Sequence, residues 1–449
     1  MTQPIVRCRD SLADGLPAMT QLPLAAHLRK CDLSDHDDQY APSRQSFAAL
    51  RHSGYRNYFF TSVLAMMADS VEHVISYWVM FEKFHSPALG GFAVLSHWLP
   101  FLFFAVYSGA LADRFDPRRI IQIAMLLFIA VSLGWAWFFL SGTLEMWHAM
   151  ALLVVHGFAG VLWTPASQVL IHDIVAPAQL QSAVRLGATA RWLGLLMGPA
   201  VGGAIMLALG PGHGIAVNAF IYLPLLYWLW KAPYGLGMRK EKAAPTQTTR
   251  GFAEIASTIR AIAGNRTIVS MTLLTGGASL LVGNAYQAQM PEYAHDLGRG
   301  AADMSYSLLL SADAAGALIS GVILESRGWL RASPKTAFTL ALLWCCAIGG
   351  FAAAPTFELA LALLGVSGFL QLAFNAMAQT LVQMHAPAHI RGRVIGLYTM
   401  SSLGLRAFAG VTVGLAGSLI GIHSSLALSA MALFAITMGL LAFTLRTTH

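Results

Sequence analysis

Charge is what this sequence lacks most. Of its 449 residues only 11% are Asp, Glu, Lys or Arg, where an ordinary soluble domain carries about a quarter. Together with 56% hydrophobic residues and a mean hydropathy of +0.61, that shortage excludes a water-soluble globular protein. Cysteine is scarce as well. Cys345 and Cys346 are neighbours in an apolar run, while Cys8 and Cys31 stand far apart, so neither a C-x-x-C metal site nor a disulfide framework is indicated. A phosphate-cradling glycine loop, an HExxH pair and a GxSxG elbow are all missing, which argues against an enzyme. No cofactor and no metal are expected. No basic start backed by a long apolar core is present either, so a secretory signal is not expected.

What is present is a succession of apolar runs, each near the ~20 residues that a membrane-crossing helix needs. They fall at 58–81, 92–111, 120–140, 146–170, 185–209 and 213–231, then at 267–290, 303–323, 336–354, 357–384, 393–418 and 422–445. The pattern predicts an all-α integral membrane protein of twelve transmembrane helices, split six and six. Residues 1–56 form a polar, proline-bearing tail, expected to be disordered and cytoplasmic. Its His27, Cys31, Asp35, His36, Asp37 and Asp38 are read as solvated. Residues 57–231 make the first six-helix bundle, 232–266 a cytoplasmic linker and 267–449 the second bundle. Within the linker only Phe252–Ile262 has an apolar face, suited to a surface helix.

The basic residues set the orientation. One set of loops carries Arg114, Arg118, Arg119, Lys231, Arg239, Lys240, Lys242, Arg250, Arg327, Arg331, Lys335, Arg391 and Arg393; the other carries only Lys83 and Arg299. Cytoplasmic loops hold the excess of Lys and Arg, which puts both termini inside. The same placement turns the formal net charge of +7 away from nucleic acid and toward the bilayer.

The two halves echo one another. Ala176-Pro177-Ala178-Gln179-Leu180 answers Ala386-Pro387-Ala388-His389-Ile390, Gly157-Phe158 answers Gly368-Phe369, and Gly109 with Asp113 answers Gly321 with Glu325, all at an offset of about 210 residues. Parallel repeats of six spans are a transporter architecture with the substrate path between the halves.

Two motifs carry a family resemblance. Between the second and third spans, Gly109 to Arg119 reads GALADRFDPRR. Its Gly109, Asp113, Arg114, Arg118 and Arg119 resemble the gating-loop signature of the major facilitator superfamily, with Asp116-Pro117 where many members have Gly-Arg. Gly109 suits a close helix contact and Asp113 the positive end of another helix. In the fifth span Gly194, Gly198, Pro199, Gly202 and Gly203 match the superfamily's G-x-x-x-G-P-x-x-G-G helix-packing pattern. Glycines at that spacing let helices touch backbone to backbone, and the proline bends one of them. The resemblance implies the major facilitator fold, two pseudo-symmetric bundles, and a motif that goes with exporters and antiporters. The run Arg391-Gly392-Arg393-Val394 and the aspartate of the first span are similar to the transmembrane secretion effector group, which includes siderophore exporters. Drug–proton antiporters of the superfamily carry an arginine in the fourth span; here the aligned position is Leu153, so coupling has to use other groups.

Ionisable residues inside spans are functional candidates, because hydrocarbon tolerates them poorly. Asp69, Glu72 and His73 share one face of the first span, where a group can bind and release a proton as access alternates. Arg191, Arg406 and Asp313 complete the proton-coupling or substrate candidates, the two arginines pairing either with those acids or with an anionic substrate. Asn284, Gln287, Gln371, Asn375 and Gln379 mark a polar cavity wall in the second half. His97, Trp98 and His156 are assigned to packing.

The expected function is secondary active transport: a proton-coupled exporter of a small organic molecule (siderophore, drug or metabolite), working as a monomer in the bacterial inner membrane by alternating access. A lipid or lysolipid translocator is the alternative, and a non-transporting sensor or a membrane enzyme belongs to another class.

Overall fold

A computed structural model describes residues 46–235, 252–283, 285–288, 290–297, 305–327, 330–409, 413 and 416–445. All regular elements among them are helical. The tail's ligand-like cluster, most of the linker's charged run and Asn284 lie outside the described residues.

The first half comprises α1 (Ser53–Phe84), α2 (Pro87–Arg114), α3 (Pro117–Ser141), α4 (Met146–Ile174), α5 (Leu180–Ile221) and α6 (Leu223–Lys231). After α7 (Phe252–Ile262), the second half follows as α8 (Arg266–Leu281), α9 (Ala285–Ala288), α10 (Met290–Asp296), α11 (Ser305–Arg327), α12 (Pro334–Ala352), α13 (Phe357–His385), α14 (Arg391–Ser402), α15 (Ala416–Ile420) and α16 (Ile422–Leu445). Among the described residues eight helical stretches are long and apolar enough to cross a membrane, Pro177–Lys231 counting as one although it holds two of the expected spans. The helix α1 is not one of them, since it carries Asp69, Glu72 and His73 along its length.

Helix starts are written into the sequence. Asp116 caps α3, its carboxylate accepting from the Arg118 amide at 3.0 Å with Pro117 in the first turn. Ser333-Pro334 starts α12 in the same way. A side chain that caps the free amides, followed by a proline whose missing N–H costs nothing there, is a favoured helix opening. The fifth and sixth spans are two helices that meet inside α5 at Gly210, whose φ of 74° only glycine adopts freely, just before Pro211; the second of them continues into α6. The seventh and eleventh spans are less regular than the apolar pattern predicts. Gly283, with φ of 51°, interrupts the seventh between α8 and α9. The eleventh passes from α14 into a 3₁₀ segment at Gly404–Phe408.

Lipid is as apolar as leucine, so helices here associate through close packing of small residues rather than through a hydrophobic drive. A Cβ added to Gly194, Gly198 or Gly202 would lie 2.5 Å from Met66 Cβ, 2.2 Å from Ser70 Cβ or 3.3 Å from Val71 Cα, so the motif of the fifth span is the seam between α5 and α1. Gly203 faces open space. The echoing glycines do echoing jobs. Gly157 presses α4 onto the Ser96 carbonyl of α2, and Gly368 presses α13 onto the Asp313 carbonyl of α11. Gly109 brings α2 onto the Gly392 carbonyl of α14, while Gly321 brings α11 against Thr189 of α5.

Those last two contacts join the halves. Asp113 accepts from the Gly392 and Arg393 amides at 2.5 and 3.0 Å, capping the amino end of α14. In the mirrored place Glu325 accepts from the Ser182 hydroxyl, and Arg185 donates to the Leu324 and Leu330 carbonyls at 3.1 and 2.5 Å. Arg114 reaches Glu254 of α7 at 3.0 Å, and Glu254 is buried. The helix expected on the surface is therefore tied to the loop end of the bundle.

Candidate functional site

The acids of the first span do not stand alone. Successive positions i, i+3 and i+4 put Asp69, Glu72 and His73 on one face of α1, and the glycine seam with α5 holds that helix in register beside them. On α4, Gly157 allows the approach to α2 that sets the preceding residue, His156, near His97. The His156 ring lies between both acids. Its Nδ1 bonds Glu72 Oε1 at 2.7 Å, and its Nε2 lies 3.0 Å from Asp69 Oδ1, though without hydrogen-bond alignment.

Glu72 is the inner acid, buried, and also accepts from the Ser132 hydroxyl of α3. Asn218 of α5 reaches Ser132 Oγ at 3.4 Å and the Ala68 carbonyl at 3.0 Å. Asp69 is the outer acid, its side chain 26% exposed. His73 Nδ1 bonds the Asp69 carbonyl at 2.7 Å. The rings of His73 and His97 lie with centroids 5.0 Å apart, those of His73 and His156 4.6 Å apart. Phe128, stacked on Tyr222, closes the site behind His156 with centroids 4.9 Å apart.

The arginines do not complete this cluster. Arg191 feels the charge of Asp69 but makes no ion pair with it or with Glu72. Arg406 sits in the 3₁₀ segment after α14, its guanidinium 5.3 Å from the ring centroid of Trp98 on α2, and its Nε is buried without a hydrogen-bond partner. Of the two expected pairings, neither arginine takes the one with the acids.

Asp313 occupies a third environment. It is buried on α11 and accepts from Tyr286 Oη at 3.2 Å and Gln287 Nε2 at 3.1 Å, while its Oδ1 has no partner. No Lys, Arg or His lies within 4.0 Å of its carboxylate among the described residues. Gln371, also buried, carries an unpartnered Oε1, and Asn375 donates to the Gln371 carbonyl at 2.9 Å. Gln379 is half-buried on the same helix. Four-residue spacing drifts around a helix, and one turn beyond Gln379 the next glutamine, Gln383, no longer belongs to an interior wall: it bonds Gln168 of the other half at 3.2 Å.

His97 and His156, assigned to packing from sequence, are thus part of the site. The available signal was His156 immediately before the repeated glycine Gly157.

A family model described as transmembrane secretion effector matches residues 44–449. The multidrug resistance protein MdtD of Salmonella typhi is 35% identical over 99 residues, 22% of this chain and 20% of that protein. The MFS-type transporter YfiS of Bacillus subtilis is 27% identical over 154 residues, 33% of this chain and 35% of its own length. The matched stretches therefore span about a third or less of these relatives. Among solved structures, the major facilitator superfamily transporter FucP in its outward conformation superposes with a TM-score of 0.71 at 10% identity, covering 88% of this chain and 99% of that one. At that identity the likeness is one of fold.

Proposed function

The chain belongs to the transmembrane secretion effector family of the major facilitator superfamily, and from that premise we propose that this integral membrane transporter is a proton-coupled exporter of small organic molecules that carry an anionic group. The observation that carries the coupling is Asp313. A buried carboxylate with only neutral donors around it is costly as an anion, and a side chain so placed escapes that cost by carrying a proton. Asp69 and Glu72 face an imidazole instead. The anionic cargo is supported by Arg191 and Arg406, two guanidiniums inside the bundle that no carboxylate pairs among the described residues.

The expected setting is the bacterial inner membrane, with both termini cytoplasmic and the chain acting as a monomer; the basic residues of one loop set support that orientation. Contacts between halves at that loop end, through Asp113 and Glu325, support a state sealed toward the cytoplasm.

Inside-out membrane vesicles with an acid interior test the reading, with carboxyfluorescein as the anionic probe and ethidium as the cationic one. The wild-type protein should accumulate carboxyfluorescein as long as the gradient lasts. Asp313→Asn should lose gradient-driven accumulation and keep probe exchange at equal pH. Full accumulation by Asp313→Asn would overturn the coupling assignment. A preference for ethidium would overturn the cargo assignment.

A further inference from the structure

We propose that His73, His97, His156 and Asp69 form a binding site for a divalent first-row transition-metal ion, with Zn²⁺ the best match and Asp69, its side chain 26% exposed, at the open edge. No metal was expected from the amino-acid pattern; the fold brings the donors together from three helices. One donor atom from each histidine can be chosen so that all three lie within 4.8 Å of one another; the Asp69 carboxylate stands at the edge of that group, 3.0 Å from His156 Nε2, and has to swing in to complete it. Zinc–nitrogen bonds of about 2.0–2.1 Å set tetrahedral donors about 3.4 Å apart. Each ring therefore has to move inward by less than about 1 Å.

The hydrogen bonds leave the right atoms vacant. His156 gives Nδ1 to Glu72 at 2.7 Å, which directs Nε2 toward Asp69 Oδ1. His73 gives Nδ1 to the Asp69 carbonyl at 2.7 Å and keeps Nε2. His97 Nδ1 and His156 Nε2 are both buried with no hydrogen-bond partner. A carboxylate or a carbonyl behind each ligating imidazole is the usual outer shell of a metal site, since it fixes tautomer and ring direction. Here Glu72, itself held by Ser132, fills that role for His156, and the Asp69 carbonyl fills it for His73.

Charge points the same way. Two carboxylates beside three imidazoles, neutral as ligands must be, leave two negative charges in the bundle, and Arg191 makes no ion pair with them. Buried charges of one sign are expensive unless paired, and one divalent cation neutralises both. Three nitrogens and one oxygen, with Phe128 and Tyr222 sealing the rear, suit zinc or cobalt better than magnesium or calcium, which prefer all-oxygen shells. The site shares no residue with Asp313, so it stands or falls separately from the coupling assignment.

Tag-free, full-length protein in lipid nanodiscs, stripped with a chelator, tests the proposal. Zn²⁺ is titrated by calorimetry, and Co²⁺ is followed by the visible ligand-field bands of a four-coordinate ion. The wild-type protein should bind one equivalent of each at this site. His97→Gln, which breaks no hydrogen bond at Nδ1, and His73→Gln should each weaken Zn²⁺ at least tenfold and abolish the four-coordinate bands. Both variants should keep the wild-type elution profile and metal-free unfolding temperature. Glu72→Gln should weaken binding by roughly 10- to 100-fold with the bands retained. Binding that persists unchanged in both histidine variants would belong to the tail or the surface and overturn the site, as would six-coordinate bands or no saturable binding in the wild-type protein.

Discussion

Replacing Gly109 by alanine should open the seal between the halves. The added methyl would sit 1.9 Å from the Gly392 carbonyl oxygen and 2.7 Å from its carbon, both backbone atoms that cannot rotate away. Real Cβ atoms essentially never come closer than 3.0 Å, so α2 and α14 must part by more than about 1 Å. Overpacking of this kind costs about 1–3 kcal/mol. The separation also stretches the two bonds from the Gly392 and Arg393 amides to Asp113, and hydrogen bonds to a charged group are worth about 1.5–3 kcal/mol each. Taking only about 2 kcal/mol as lost from the sealed state, its population relative to the alternative falls about 30-fold. Spin labels on Phe115→Cys and His389→Cys, both exposed positions at the loop end, report the separation of the halves. Gly109→Ala should shift most of the distance distribution to longer values. Gly187→Ala, which has nothing within 4 Å of the new methyl, should leave it alone. An unshifted distribution in the Gly109 variant, with transport intact, would refute the role of this contact.

Other perturbations separate packing from charge. Gly198→Ala puts a methyl 2.2 Å from Ser70 Cβ, whereas Gly203→Ala meets nothing; the first should lower the unfolding temperature, and the second should leave it level or raise it slightly, since alanine favours helix by about 1 kcal/mol over glycine. Arg114→Ala leaves the buried Glu254 carboxylate without its 3.0 Å partner. It should therefore destabilise the protein more than Arg114→Ala combined with Glu254→Gln, as an orphaned buried charge costs more than a neutral amide.

Much of the architecture could be read in advance because hydrocarbon imposes long apolar runs and loop charges report sidedness. The repeat was legible through glycines, which mark places where backbones touch whatever the surrounding residues are. Breaks within spans were not legible. The stretch around Gly283 brings in Asn284 and Gln287 just past its kink, but hydropathy averages over backbone conformation and reads the run as one span. The site was half visible. Asp69, Glu72 and His73 announce themselves by sharing a helix face, but His97 and His156 come from two other helices and carry no periodic signal. The arginines illustrate a different limit. Depth within a span shows that a charge needs a partner, and only the packing shows that Asp69 and Glu72 turn to His156 instead.

The crossed arrangement of Asp113 on α14 and Glu325 against α5 has a mechanical consequence. Each bundle lends its acid to the opposite bundle's helix start, Asp113 to the first amides of α14 and Glu325 to Ser182 near the start of α5. Separating the halves at this end therefore has to break both sets of contacts, those of Asp113 with the Gly392 and Arg393 amides and that of Glu325 with the Ser182 hydroxyl.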